Sequence, residues 1–251
     1  MTKATPKEFL STKKILLISL VPVVVIGGLV LLLYALPVNG ASLAALRTLH
    51  LPVGKVDKFM VSIQNIEQAL TPGIAVTADN LEAQFKQYAH VAASNKLIRT
   101  YAIPVPNSKI DEQEKRSLVN AWWNGQEKLN TSGWKKVRTV EALLARGTDF
   151  ALTAQTHSED PATKIFGGDA GFVDESSMLP EYKGALVQLK RGDSSVIASR
   201  HGLHIVRLLN SAKDATGKTR YHIQEIFISS QGFEEWYNHQ IRDVHTSLYV
   251  K

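Results

Sequence analysis

One stretch near the start of the chain, residues 15–36, has 22 residues without a charge: ILLISLVPVVVIGGLVLLLYAL. A helix of that length spans about 30 Å, which is the thickness of the hydrocarbon core of a bilayer. A buried core helix usually carries a polar face, and a cleaved signal peptide has a shorter apolar region followed by a small-x-small site. Asn39-Gly40-Ala41 matches such a site poorly. The sequence therefore predicts an uncleaved signal anchor over residues 15–36.

Charges beside this stretch predict which way it crosses the bilayer. Five charged side chains precede it, four of them basic: Lys3, Lys7, Glu8, Lys13 and Lys14. Lysines beside a membrane segment are retained on its cytoplasmic side. We therefore expect residues 1–14 in the cytoplasm, residues 15–36 in the lipid bilayer, and the remainder of the chain on the outer side.

The composition excludes several kinds of site. The 251 residues contain no cysteine, so disulfides, thiolate zinc sites, iron–sulfur clusters and a cysteine nucleophile are ruled out. A net charge of +6 without a run of five like charges argues against a nucleic-acid-binding tail. No two histidines have the H-E-x-x-H spacing of a zinc hydrolase. We expect no metal, no other cofactor and no nucleic-acid partner; the sequence leaves the oligomeric state open.

Apolar periodicity predicts the elements of the remaining chain. Residues 41–96 have helical spacing, and residues 97–105 read as a strand that Pro104 interrupts. Residues 219–251 begin with a strand and end in an amphipathic helix with an aromatic face. Since an isolated helix of this length is unstable in water, we expect it to dock on the helices of residues 56–90.

Four pieces of the second half follow one another in a specific order. Residues 141–161 contain G-T-D-F and S-E-D-P, and residues 167–173 read G-G-D-A-G-F-V. Residues 177–199 contain M-L-P-E-Y and L-K-R-G-D-S-S, and residues 201–209 read H-G-L-H-I-V-R-L-L. In this order and spacing the four pieces resemble the parvulin family of peptidyl-prolyl cis–trans isomerases.

The resemblance implies an α+β fold in which a small antiparallel sheet is wrapped by helices. The parvulin-like domain would cover residues 97–210, with a helical insertion at 107–133. Residues 41–96 and 219–251 would form a helical chaperone-like lobe, as in bacterial foldases that work outside the cytoplasm. Together with the N-terminal membrane helix, this implies a single-pass protein of the bacterial cytoplasmic membrane with its folded part on the periplasmic side.

The resemblance also implies a cleft that binds proline. Met178 and Tyr182 would line an apolar cup around the proline ring, with Ala170 at a position that the family usually fills with Leu. His201 would lie at the edge of this cup. From the residues alone, ordinary core packing of Met178 and Tyr182 and a solvated loop position for His201 remain open.

Two polar residues match the catalytic positions of the family. Asp160 matches the acidic or cysteine position that faces the rotating amide, and His204 matches the histidine of the last strand. A carboxylate at a turn and a structural histidine are the alternatives. The family's second histidine, on its first strand, has no counterpart here. The matching residue is Ala102 or, if the strand of residues 225–228 takes that place, Glu225.

Rotation about a prolyl peptide bond crosses a barrier of about 18–20 kcal/mol and breaks no bond. A dry apolar cup and polar groups beside the twisted amide assist it, so no nucleophile or metal is needed. The sequence predicts a membrane-anchored prolyl isomerase that acts on unfolded, proline-containing exported polypeptides. The alternative is a non-catalytic chaperone or assembly module that binds extended segments in the same cleft. The missing second histidine favours this alternative.

Overall fold

The computed structural model describes residues 30–70, 74–106, 110–242 and 244–250. Within that part of the chain, no helix is both long enough and apolar enough to cross a membrane. The predicted cytoplasmic segment, and all of the predicted membrane segment except residues 30–36, lie outside the described residues.

Nine helices and seven strands are assigned between residues 40 and 248 of the described chain. The helices are α1 (Gly40–Thr48), α2 (Ile63–Ala69), α3 (Leu81–Thr100), α4 (Glu112–Gly125), α5 (Thr131–Ala145), α6 (Phe150–His157), α7 (Pro161–Lys164), α8 (Pro180–Leu186) and α9 (Phe233–Arg242). The strands are β1 (Pro52–Val56), β2 (Phe59–Ser62), β3 (Asp169–Asp174), β4 (Ser194–Ser199), β5 (Gly202–Lys213), β6 (Thr219–Ser229) and β7 (Thr246–Leu248). The chain divides into unit 1, Met1–Ala92 with Val244–Lys251, and unit 2, Ala93–Asp243.

Unit 1 contains a small antiparallel sheet in the order β2-β1-β7. The sequence predicts helix throughout residues 41–96, but residues 52–62 form a β-hairpin. Asp57 adopts a left-handed conformation with φ of 50° and reverses the chain between the two strands. The β-branched side chains of Val53 and Val61 are fully buried, and such residues fit a pleated surface well. Strands of four and five residues are too short for their alternation to be distinguished from a helical pattern.

Unit 2 contains a four-stranded antiparallel sheet in the order β3-β6-β5-β4. The predicted first strand, residues 97–105, is not part of it. Its first four residues end α3, and a turn follows in which Ala102 has φ of 48°. β6 lies between β3 and β5 instead. Its two faces are both apolar, with Ile223 on one and Ile226 on the other, and a strand with two apolar faces is suited to the interior of a sheet.

The two faces of this sheet are covered by different helices. On one face, Leu203 and Ile205 of β5 pack with residues of α5 and α6 such as Val137 and Phe150. On the other face, Val206 and Leu208 of β5 pack with Tyr182 and Leu186 of α8. Because side chains alternate along a strand, every second residue of β5 and β6 faces α8. His204 and Glu225 belong to that set.

The C-terminal segment takes a different place from the predicted lobe. β6 lies inside the sheet of unit 2, α9 also belongs to unit 2, and β7 pairs with β1 in unit 1. Phe233 and Tyr237 of α9 are buried in one cluster with Leu97, Val119 and Trp123. This corrects the expectation that residues 219–251 complete one lobe with residues 41–96. The aromatic face of α9 is buried, as its amphipathic pattern requires, but its partners are the end of α3 and helix α4.

Replacing Phe233 with Ala should destabilise unit 2 by about 3–5 kcal/mol. The ring is only 3% exposed, and its centroid lies 5.9 Å from that of Trp123. All four tryptophans, at positions 122, 123, 134 and 236, belong to unit 2. Urea denaturation followed by tryptophan fluorescence therefore reports on this unit alone. Glu235→Ala, on the exposed side of the same helix, is the control and should change stability by less than about 0.5 kcal/mol. Equal midpoints for Phe233→Ala and the unmodified chain would contradict the docking of α9.

Candidate functional site

A buried histidine on β5 is held at both ring nitrogens. His204 is 5% exposed. Its Nδ1 lies 2.5 Å from Oε1 of Glu225, and its Nε2 lies 2.7 Å from Oγ of Ser199. A carboxylate only accepts hydrogen bonds, so Nδ1 carries the proton and donates it to Glu225. Nε2 is paired with the Ser199 hydroxyl, whose oxygen also accepts from the backbone N–H of His201 at 3.1 Å.

Strand register brings these side chains together. His204 is opposite Phe227, and Val206 is opposite Glu225, so Glu225 is the diagonal neighbour of His204 on the same face of the sheet. Gly168 supports Glu225 from the other side, where its carbonyl accepts from the Glu225 N–H at 2.8 Å. Gly168 has φ of +80°, and a Cβ there would lie 2.4 Å from the Glu225 carbonyl oxygen. The close approach therefore requires glycine, which gives the G-G-D motif a structural reason.

Aromatic rings enclose the His204 imidazole. The ring of Tyr182 meets it edge-on, with centroids 5.2 Å apart, and Phe227 lies at 4.9 Å. Tyr182 is 8% exposed. Burial raises the pKa of the Tyr182 hydroxyl, and the nearby Glu225 carboxylate, which accepts a hydrogen bond from that hydroxyl, raises the pKa further. Tyr182 therefore stays neutral and acts as a hydrogen-bond donor. His204, Glu225 and Tyr182 form one connected polar group on an otherwise apolar face.

Asp160 caps helix α7. Its Oδ1 accepts from the N–H of Ala162 at 3.0 Å, and its Oδ2 accepts from the Thr163 hydroxyl at 2.6 Å and the Thr163 N–H at 3.2 Å. Partial burial opposes ionisation, but these hydrogen bonds and the proximity of His204 outweigh it and lower the pKa of Asp160. Asp160 is thus a capping carboxylate that also acts electrostatically on the histidine. Both readings of this residue from the sequence are compatible with its position.

The apolar residues of the predicted cup share one cluster. Met178 and Ala170 are both partly buried and pack against the cluster that contains Tyr182 and Leu186. His201 is different, because its side chain is exposed and only its backbone reaches Ser199. Among the predicted residues, the structure therefore brings His204, Tyr182, Met178 and Ala170 to one face.

Sequence reasoning missed or underrated three members of the group. Ser199 and Phe227 were not singled out, since a serine at a strand end and an aromatic strand residue carry no distinctive signal. Glu225 occurs in the sequence analysis only as the alternative to Ala102. The structure favours the alternative, because Glu225 faces His204 from the neighbouring strand whereas Ala102 lies in a turn outside the sheet. Among the described residues, no three His, Asp or Glu side chains are placed to share a metal ion.

Comparison with known families assigns this region. Residues 118–212 match the PPIC-type PPIASE domain. The chain therefore carries a PPIC-type parvulin domain. The matched residues end before β6, yet β6 completes the sheet of this parvulin domain and supplies Glu225 to its polar group.

Known proteins resemble part of the chain. Chaperone SurA of Pseudomonas syringae pv. tomato is 29% identical over 110 residues, which are 43% of this chain and 26% of that protein. Foldase protein PrsA of Geobacillus kaustophilus is 30% identical over 123 residues, 47% of this chain and 42% of that protein. The chain thus covers well under half of either relative. A solved structure of peptidylprolyl isomerase PrsA from Bacillus anthracis covers 72% of this chain and 82% of its own at 14% identity, with a TM-score of 0.25, which is too low to support a common fold.

Replacing Glu225 with Ala should destabilise unit 2 by about 1–3 kcal/mol, because the buried Nδ1–H of His204 loses its acceptor. Glu225→Gln keeps a side chain of the same length with a carbonyl oxygen as acceptor, so this variant should lose clearly less stability. Urea denaturation with tryptophan fluorescence measures both. Equal losses for the two variants would show that the parvulin domain does not depend on this hydrogen bond.

Asp160→Ala should lower stability at pH 7 by about 0.5–2 kcal/mol through loss of the cap, whereas Asp160→Asn retains a capping acceptor. The folded-state pKa of Asp160 lies below its unfolded value of about 3.9. Its charge therefore stabilises the fold fully above that pH, and this contribution is lost as the pH falls through the lower folded value. We expect the stability difference between the unmodified chain and Asp160→Ala to be constant between pH 5 and 7, in roughly the range where the carboxyl is ionised in both states, and to narrow below about pH 4. If the stability difference does not narrow below about pH 4, the proposed role of the carboxylate is contradicted.

Proposed function

We propose that the chain is a peptidyl-prolyl cis–trans isomerase that assists the folding of exported polypeptides at the outer face of the bacterial cytoplasmic membrane. The observation that carries this proposal is the polar group of His204, Glu225 and Tyr182 on one face of a PPIC-type domain. It lies beside the apolar surface of Met178 and Ala170. That combination matches what rotation about an X–Pro bond requires.

The apolar residues hold the proline ring. Met178, Tyr182 and Ala170 cover it and exclude water, which weakens the charge-separated resonance form that makes the amide stiff. With the ring fixed, the remainder of the peptide rotates about the C–N bond. The enzyme needs only to favour the twisted amide over its planar forms.

The polar residues stabilise the twisted amide and hold one another in position. The Tyr182 hydroxyl remains protonated because burial and Glu225 raise its pKa. Its single O–H is used for the Glu225 carboxylate, which leaves the hydroxyl oxygen as a neutral acceptor beside the cup. His204 uses both ring nitrogens for Ser199 and Glu225. We therefore assign His204 a positioning role, in which it fixes Glu225 and through it Tyr182. Asp160 contributes a fixed negative charge near this group.

A non-catalytic chaperone is the second candidate. The observation that favours it is Glu225, an acidic side chain that faces His204 where the family usually has a second histidine. Aggregation assays and isomerisation assays on the same preparation separate the two candidates. A chain that suppresses aggregation of an unfolded protein without accelerating prolyl isomerisation would support the chaperone.

Met178→Ala should weaken binding of a proline-containing peptide about tenfold or more, since a buried methionine side chain contributes about 1.5–3 kcal/mol. The measurement is isomerisation kinetics on the full chain in detergent, with peptide titration followed by NMR. Met60→Ala is the matched control, because Met60 belongs to unit 1 and is 62% exposed. Circular dichroism must show native folding of Met178→Ala. If the folded Met178→Ala variant binds the peptide with unchanged affinity, the cup is not the peptide-binding surface.

The membrane anchor over residues 15–36 belongs to the same proposal. Its support is the uncharged stretch and the lysines before it. Protease added to intact spheroplasts should digest unit 2 while an epitope tag placed before Lys3 stays protected. Protection of unit 2 until the membrane is lysed would contradict this orientation.

A further inference from the structure

A second concave surface lies beside the proposed proline cup, entirely within unit 2. It is a groove of about 360 Å³ between α4, the start of α9 and the turn that joins β4 to β5. The side chains that define its chemistry are Arg116, Asn120, Leu179, Arg200, His201 and Glu234.

Two connections join this groove to the polar group of the parvulin domain. Leu179 follows Met178 directly and packs against the same cluster as Tyr182. His201 lines the groove, and its backbone N–H donates to the Ser199 hydroxyl that holds His204. A peptide whose proline occupies the cup would therefore extend its neighbouring residue toward the groove.

The groove has one cation that is already neutralised. Arg116 hydrogen-bonds to the Glu234 carboxylate and lies over the ring of Tyr237, 5.4 Å from its centroid. These contacts neutralise the charge of Arg116 within the protein. They also pair Glu234, the acidic side chain of the groove.

Arg200 is the second cation. The residue is half-buried, and its buried Nε has no hydrogen-bond partner among the described residues. Its backbone is fixed, since its carbonyl accepts from Nδ2 of Asn120 at 2.7 Å. A partly desolvated guanidinium without a partner is unfavourable. A carboxylate matches its planar donors with two parallel hydrogen bonds.

We propose that this groove is a specificity subsite, in which Arg200 binds the carboxylate of an aspartate or glutamate adjacent to the substrate proline. The inference rests on the proposed isomerase function and names the substrate class, acidic-proline segments of unfolded polypeptides. Binding would supply a partner for the buried Nε of Arg200, which has none among the described residues. α4 supplies the wall that positions Arg200, because Asn120 of this helix holds the Arg200 carbonyl.

The test compares capped peptides with amidated C-termini that differ only beside the proline, with Glu, Gln or Lys placed before or after it. In these peptides the varied side chain is the only carboxylate. With the full chain in detergent, the Glu peptide should show a kcat/KM and an affinity about tenfold higher than the Gln peptide in one of the two positions, because a hydrogen bond between two charged groups is stronger than one to a neutral amide. The preference should decrease as salt is added.

Substitutions of arginine assign the effect. Arg200→Gln should abolish the preference for Glu over Gln, and Arg200→Glu should transfer the preference to Lys. Arg191→Gln is the control, since it removes the same charge from an exposed position of unit 2 outside the groove, and it should keep the preference.

The possible outcomes distinguish failure of the proposed subsite from failure of the proposed isomerase function. Isomerisation without a Glu preference, or a preference that survives Arg200→Gln, overturns the subsite and leaves the isomerase standing. Glu-selective binding that depends on Arg200 but occurs without isomerisation supports the subsite and contradicts the proposed isomerase activity. If no peptide binds the cleft in NMR shift mapping, the proposed function and the subsite both fail.

Discussion

The long antiparallel pairing of β5 with β6 is the interaction on which unit 2 depends. Its register runs from Gly202 opposite Ser229 to Lys213 opposite Thr219. This pairing supplies apolar side chains to both faces of the sheet and places Glu225 diagonally beside His204. A shift of one residue would turn every side chain of one strand to the opposite face. Core packing and the polar group are therefore specified by the same register.

The polar group itself limits what chemistry the domain can perform. His204 has no ring nitrogen left for a substrate, since Ser199 and Glu225 occupy both. Glu225 is shared between His204 and Tyr182. Such an arrangement suits a reaction with no net proton transfer, because it holds donors in place without needing to exchange them.

Local sequence signals predicted much of the parvulin domain. The ordered motifs of residues 141–209 correctly indicated a PPIC-type domain. The position of β6 was not predictable from motif order, because its partner strands are set by long-range pairing. Residues 97–105 look like a strand because they are apolar and β-branched, but α3 extends to Thr100 and buries Leu97 in a helical cluster.

Unit 1 shows the same limit of local reasoning, and its topology has a consequence for biosynthesis. β7 pairs with β1, so Leu248 is opposite Gly54 although the whole of unit 2 lies between them in the chain. Unit 2 is continuous in sequence, while unit 1 is built from two separated segments. As the chain becomes available from its N-terminus, unit 2 can complete its sheet as soon as residue 229 is present. The sheet of unit 1 must wait with an unpaired edge on β1 until the last strand arrives, which makes that edge the part of a nascent chain most exposed to wrong pairing.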